Sequence, residues 1–350
     1  MIVAYLSLLS GTTRDRHFKP PAGNPISRFS QVVMASIRKM SLEVPRNGKG
    51  LYETGEGDDG SRKIRHTDDF RFLDRAAVIT GDAVHTLNRG EIPDPWHLCT
   101  VTQVEEAKCI LRLIPVWLCT VISSVIFVPM LALFVEQGAA MDTTRSGFHV
   151  PPASMTVFNI VSTFAFVILY SKLVVPAFVK LTKRDPKPHT ELQRIGIGLA
   201  IAIVSLVIAG LVEQRRLRHA GSGETSSLSI FWQVPQYVLL GVSEASAYVA
   251  QMEFFTSQSP DGLKSIGVGL SMASLALGCY AFLLTLVTDM TTRKRGRGWV
   301  PPNLNDGHLD RFFLSAVLTL ANLSIFAARA KRYKNIAMVK RDGTDEVAKL

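Results

Sequence analysis

Residues 239–255 read LLGVSEASAYVAQMEFF. They place one carboxylate, Glu244, in the middle of a run (231–256) that is otherwise apolar or small enough to cross a membrane as a helix. An ionised carboxylate facing lipid at that depth costs roughly 2.5 to 3.5 kcal/mol. Glu244 must therefore face inward, and a single helix has no inside, so the stretch demands a bundle. At 100° per residue, Gln233, Tyr237, Tyr248 and Gln251 fall within about 40° of Glu244. The spacing predicts one polar stripe lining a cavity or a buried interface, with Val234, Leu239, Val242, Ala245 and Val249 on the other faces. Glu244 is the candidate proton- or substrate-linked residue; Gln233, Tyr237, Tyr248 and Gln251 are the candidate cavity-lining residues. Glu253, about 180° away and near the end of the run, reads as interfacial or salt-bridging.

The rest of the chain supports a multi-pass membrane protein. Of its 350 residues 47% are hydrophobic and 19% charged, and its mean hydropathy is +0.20, which is too apolar for a soluble domain of this size. A hydrocarbon core about 30 Å thick needs about 20 apolar residues per helix. Five segments are expected to meet that length, near 110–136, 154–180, 192–214, 231–256 and 263–289, with 310–330 as a marginal sixth. No Lys or Arg is expected in the interior of these spans, so a cation facing Glu244 has to come from elsewhere. The pairs Gly267/Ser271 and Ser274/Gly278 have the spacing of close helix packing. Pro129, Pro176 and Pro235 are candidate bends.

Four segments organise the chain. MIVAYLSLLSG, residues 1–11, is apolar but about half the length of a span, without the basic start or cleavage site of a signal peptide. It reads as the end of a truncated transmembrane helix. Residues 12–108 hold about fifteen Lys and Arg against slightly fewer acids and read as a cytoplasmic linker. Within it an amphipathic helix is expected near 25–40, with Asn24 as N-cap, Pro25 at the first position and Ile26, Phe29, Val32, Val33, Ile37 and Met40 on one face. That helix suits the headgroup layer, the alternative being a small helix packed on a soluble subdomain. Thr102-Gln103-Val104-Glu105 has the pattern of a capping box. Residues 109–330 carry the six spans, and 331–350 form a cytoplasmic tail.

Net charge is +10, and its placement in loops beside spans points to anionic lipid, not nucleic acid. KLTKRDPKPH (180–189) and the tail fall on the cytoplasmic side in this topology. EQRRLRHA (213–220) and TRKRGRG (292–298) fall on the other, against the positive-inside rule. The four cysteines form no C-x-x-C pair, and no Walker A, H-E-x-x-H or G-x-S-x-G sequence occurs. The sequence therefore predicts no enzyme, no metal and no cofactor other than a proton gradient. Asn322-Leu323-Ser324 matches a glycosylation acceptor but lies inside a span.

Several stretches, in order along almost the whole chain, resemble the plant nitrate and peptide transporter family, the proton-dependent oligopeptide transporter (POT) branch of the major facilitator superfamily. They are SGTTRDRHFKPPAGNPISRFSQV, HTDDFRFLDRAAV, FVEQGAAMD, FHVPPASM, ELQRIGIGL, WQVPQYVLLGVSEASAYVAQMEFFTSQSP and GWVPPNLNDGHLDRFF. VTQVEEAKCILRLIPVWLC is similar to the subgroup linked to loading nitrate into xylem, for which potassium transport is also implied. The resemblance implies an all-α integral membrane protein: the C-terminal six-helix bundle, helices seven to twelve, preceded by the cytoplasmic linker.

It also implies a partner. The lysine that faces the helix-ten glutamate, here Glu244, belongs to a first half not contained in this chain. The expected function is a proton-coupled secondary transporter of nitrate or another small solute, with potassium or peptide as further candidates. The plasma membrane is the expected location and the vacuolar membrane the alternative. The expected partners are lipid, proton, solute, and a missing N-terminal half or a full-length relative. The competing expectation is a truncated protein without transport of its own, inert or modulating a full-length relative. Thr144, in MDTTRSGF, stands where a nitrate carrier of the family has a histidine. His149 lies five residues too far along to be equated with it.

Overall fold

The computed structural model describes residues 24–42, 44, 50–53, 64, 66–80, 93–145, 147–176, 180, 190–219, 226–260, 263–293 and 309–333. The expected helix end at 1–11, the loops at 181–189 and 294–308 and the tail beyond 333 lie outside the described residues. The described chain is helical apart from a two-stranded hairpin, and its contacts divide it into two units.

The first unit contains helix α1 (Pro25–Arg38), a 3-10 turn at Arg71–Ala77 and the first two turns of helix α2 (Val101–Ala139). Asn24 caps α1 by accepting from Ile26 N at 3.1 Å, with Pro25 in the first turn. The packed face of α1 differs from the apolar stripe in the sequence. Arg28, Val32, Ala35, Ser36 and Lys39 are buried, while Ile26, Ile37 and Met40 are exposed. Polar groups on the packed face anchor it: Ser36 Oγ donates to Phe72 O at 2.6 Å and Lys39 Nζ to Val78 O at 2.6 Å. Burial holds the Lys39 ammonium below its usual range and pushes the nearby Cys99 thiol up to about 11.

The capping box of α2 lies two residues earlier than expected. Gln103 N donates to Thr100 Oγ1 at 3.3 Å, and Thr100 N donates back to Gln103 Oε1 at 3.2 Å. Glu105 is committed elsewhere, accepting from Thr67 N, Thr67 Oγ1 and Lys108 Nζ at 3.0, 2.7 and 2.8 Å. Lys108 is fully buried and also pairs with Asp74 at 2.6 Å. His66, Asp74 and Glu105 have donor atoms within 4.8 Å of one another, as metal ligands do, but the positive charge between the two carboxylates is this lysine's own.

The second unit is a bundle built from the rest of α2, α3 (Thr156–Leu169, continued through a π turn at Tyr170–Val174), α4 (Glu191–Arg218), α5 (Val234–Ser257), α6 (Lys264–Arg293) and α7 (Leu309–Arg332). The π turn lies just before Pro176, whose missing N–H breaks the regular ladder there. Pro235 sits in the first turn of α5, where a proline needs no compensation. A capping box that the sequence analysis missed, Thr190 with Gln193, starts α4.

Among the described residues, five helical segments are long and apolar enough to cross a membrane: Val101–Ala139, Pro152–Leu173, Glu191–Arg218, Lys264–Leu284 and Phe312–Arg332. The C-terminal helix, expected to be marginal, qualifies. The helix that falls short on apolarity is α5, although its 24 residues span about 36 Å. Its environment explains how it is tolerated. α5 packs against α3, α4 and α6, so its polar residues meet protein where α3 and α7 present Val157, Phe164, Val317 and Leu320 outward.

Small residues make that central position possible. A Cβ on Gly241 would meet Ser162 Oγ of α3 at 2.1 Å and Asn159 O at 2.4 Å. On the neighbouring side, Gly198 of α4 lies against Ala247 N and Ser243 O, each 2.9 Å from its would-be Cβ, and Ser243 Oγ donates to Gly198 O at 2.7 Å. Gly267 and Gly278 of α6 meet the α5 backbone at Phe255 and the α2 backbone at Ser124, so both expected small-residue pairs contribute to close packing. Asn322 is buried and joins α7 to α2 by donating to Cys119 O at 3.1 Å and Ser123 Oγ at 2.9 Å.

Candidate functional site

The polar stripe of α5 divides into three environments along the helix. At its start, Gln233 belongs to a 3-10 turn (Ile230–Gln233) and is fully buried. Its Nε2 donates to Phe134 O at 2.9 Å and to Gln137 Oε1 at 3.0 Å on α2. Gln236, which the stripe omitted, is equally buried and donates to the same Gln137 Oε1 at 2.9 Å. Tyr237 is fully buried, its ring edge-on to Phe134 at 5.3 Å.

At the other end, Gln251 donates to Ser271 O at 3.2 Å and to Ser274 Oγ at 2.6 Å, tying α5 to α6. Gln233 and Gln251 are thus held by interhelical bonds that their amide nitrogens donate.

Glu244 and Tyr248, between these ends, remain partly accessible. Glu244 Oε2 accepts from Asn159 Nδ2 on α3 at 3.1 Å. Tyr248 lies beside Glu244, Ser124 and Cys279 and against the Phe127 ring at 6.4 Å. An acid with one amide partner and an adjacent phenol can exchange a proton or bind a polar ligand, whereas the interlocked glutamines cannot without breaking helix contacts. Asn159 had no signal in the sequence, since a lone Asn in the apolar run TVFNIVST does not reveal which helix it meets. Glu253 pairs with Arg194 at 2.5 Å, and Arg194 also lies 4.7 Å above the Tyr170 ring.

Just beyond the expected 192–214 span, the bundle nevertheless buries a cation, Arg216. It and Glu213 are both fully buried, with Arg216 Nε and Nη2 donating to the two Glu213 oxygens at 2.9 and 2.8 Å. Gln137 Nε2 donates to Glu213 Oε2 at 3.0 Å, joining this pair to Gln233 and Gln236. Arg216 was read as part of an exposed basic loop because it lies just beyond the apolar run. Its partner three residues earlier on the same helix was the available clue. A hairpin, Thr144–Arg145 and Phe148–His149, follows α2. His149 is the direct strand partner of Thr144, and its Nδ1 lies 3.0 Å from Thr143 Oγ1.

Membrane-length helices packed around a central polar helix, with a partly accessible carboxylate in its middle, define a multi-pass membrane bundle. Comparison with known proteins makes the class specific. The family model described as PTR2: POT family matches residues 1–300, and the chain belongs to the POT family. Protein NRT1/PTR FAMILY 7.3 of Arabidopsis thaliana is 48% identical over 360 residues, covering 99% of this chain and 58% of the relative. NRT1/PTR FAMILY 8.3 of the same plant is 43% identical over 346 residues, covering 95% and 58%. The chain therefore spans a little over half the length of these curated relatives. The crystal structure of the POT family transporter PepTSo shares the fold, with a TM-score of 0.58 at 18% identity over 95% of this chain and 63% of that one.

Proposed function

We propose that this bundle is one wall of a proton-coupled secondary transporter for nitrate or another small solute, with potassium and peptide as the competing cargoes. The supporting observation is Glu244: a carboxylate in the middle of a helix that is otherwise locked by its neighbours, left with one amide donor and partial access. Glu244 is the proton- or substrate-linked group and Tyr248 its neighbour on the cavity surface. Tyr237, Gln233 and Gln251 hold the wall in shape behind that surface. The opposite wall comes from a second bundle, whether in the same polypeptide or in a full-length relative, and rocking of one against the other gives alternating access. The plasma membrane is the proposed location, with the vacuolar membrane distinguished from it by imaging a fluorescent fusion.

Proteoliposomes with an imposed proton gradient test this reading. Labelled nitrate uptake by the transporter assembled with its second bundle is expected to fall at least about tenfold in Glu244→Gln, the size of effect a single proton-transfer group supports. Competition by unlabelled nitrate, potassium or dipeptide identifies the cargo. Undiminished proton-driven uptake in Glu244→Gln would overturn the role of that residue. Uptake by none of these solutes, with the chain co-purifying with a full-length relative, would instead support a modulating subunit.

A further inference from the structure

We propose that the groove where α4 ends and α5 begins is a phospholipid site, in which Arg215 takes the lipid phosphate and Phe231, Trp232 and Pro235 hold the glycerol and upper acyl chains. The groove has a volume of about 580 Å³ and is lined by Ser229, Phe231, Trp232 and Pro235. Phe231 and Trp232 are each 44% exposed, unusual for neighbouring aromatics unless something apolar covers them. Pro235 lies nine residues before Glu244, hence about 180° around α5 from it, so the groove opens on the face turned away from the polar stripe. A tryptophan at the start of a membrane helix occupies the level of the headgroups.

The guanidinium of Arg215 supplies the charge. Its central carbon lies 4.4 Å from the centre of the Trp232 ring. An arginine held over an indole keeps its in-plane N–H groups directed sideways, the geometry that binds phosphate oxygens in pairs. Among the described residues no carboxylate pairs with Arg215. Arg216, the next residue, is instead consumed by Glu213 inside the bundle. The two adjacent arginines of EQRRLRHA therefore have different destinations. The exposed one stands beside apolar walls that a free phosphate ion has no use for, which singles out a lipid as the occupant.

Native mass spectrometry of the full chain, released from detergent with dioleoyl phosphatidylglycerol, reads the occupancy directly. Retention is expected to weaken about tenfold in Arg215→Ala and similarly in Trp232→Ala, with Arg215→Lys between these and the unaltered chain. Arg218→Ala, which removes an exposed charge three residues away, is expected to change retention less than about twofold. Dioleoylglycerol, which lacks the phosphate, and inorganic phosphate, which lacks the chains, are each expected to bind at least about tenfold more weakly than the phospholipid. Equal retention by Arg215→Ala would overturn the site. So would an equal loss in Arg218→Ala, which marks diffuse attraction, or binding of inorganic phosphate as tight as that of the lipid. A circular dichroism spectrum and elution volume matching the unaltered chain are required of each variant. If Trp232→Ala fails this, Trp232→Leu takes its place.

Discussion

Gly241→Ala is expected to lose about 3 kcal/mol of bundle stability, enough to remove most of the folded protein from a detergent extract. The added methyl would sit 2.1 Å from Ser162 Oγ, 2.4 Å from Asn159 O and 2.6 Å from Asn159 Oδ1. The hydroxyl could rotate away, but the carbonyl oxygen belongs to the backbone of α3 and cannot. Relief therefore requires α3 and α5 to move apart, which breaks the Thr163 Oγ1 bond to Gly241 O and the Asn159 bond to Glu244 together. For the same reason, Ser162→Ala should not rescue the variant. Gly269→Ala supplies the control, because nothing lies within 4 Å of its would-be Cβ and an exposed helical position favours alanine. Thermal unfolding followed by fluorescence-detected size exclusion compares the two. Equal midpoints for Gly241→Ala and Gly269→Ala would show that the close approach of α3 and α5 is not needed.

These glycines show how much of the fold is legible in the sequence. Membrane-length helices follow from apolar runs because a bilayer fixes the minimum length, and the six helices fall where the runs do. The stretch around Glu244 also announces close packing, since Gly241, Ser243, Ala245, Ser246, Ala247 and Ala250 are too small for a lipid-facing surface to need. A helical wheel, however, gives direction without destination. It groups Gln233 and Gln251 with Glu244 because their angles agree, yet the first meets Gln137 and the last meets Ser271 and Ser274. Those contacts join residues 96, 20 and 23 positions apart, and Asn159 reaches Glu244 across 85. No local pattern encodes such pairings. The capping box slipped by two residues for a related reason: Glu105 has the right spacing from Thr102, but a buried lysine and Thr67 compete for its carboxylate.

Arg216→Met should be about as damaging, at roughly 3 to 5 kcal/mol, because it leaves the Glu213 carboxylate buried without its charge partner. The amide bond from Gln137 at 3.0 Å cannot replace the two charge-assisted bonds that are lost. The double variant Glu213→Gln with Arg216→Met removes both charges at nearly constant volume and is expected to regain most of the loss. Thermal midpoints of the single and double variants, measured in the same detergent, decide the matter. A double variant as unstable as the single would mean that packing of the Arg216 stem is what counts, and an unchanged single would mean that water reaches the pair. The pair also bears on topology. In the expected orientation EQRRLRHA, which holds the end of α4, falls on the side where basic residues should be scarce, but Arg216 is neutralised by Glu213 within the bundle. A charge neutralised inside the protein adds little to the attraction for an anionic surface that sets orientation. With Arg216 discounted, the stretch opposes the expected orientation less than its sequence suggests.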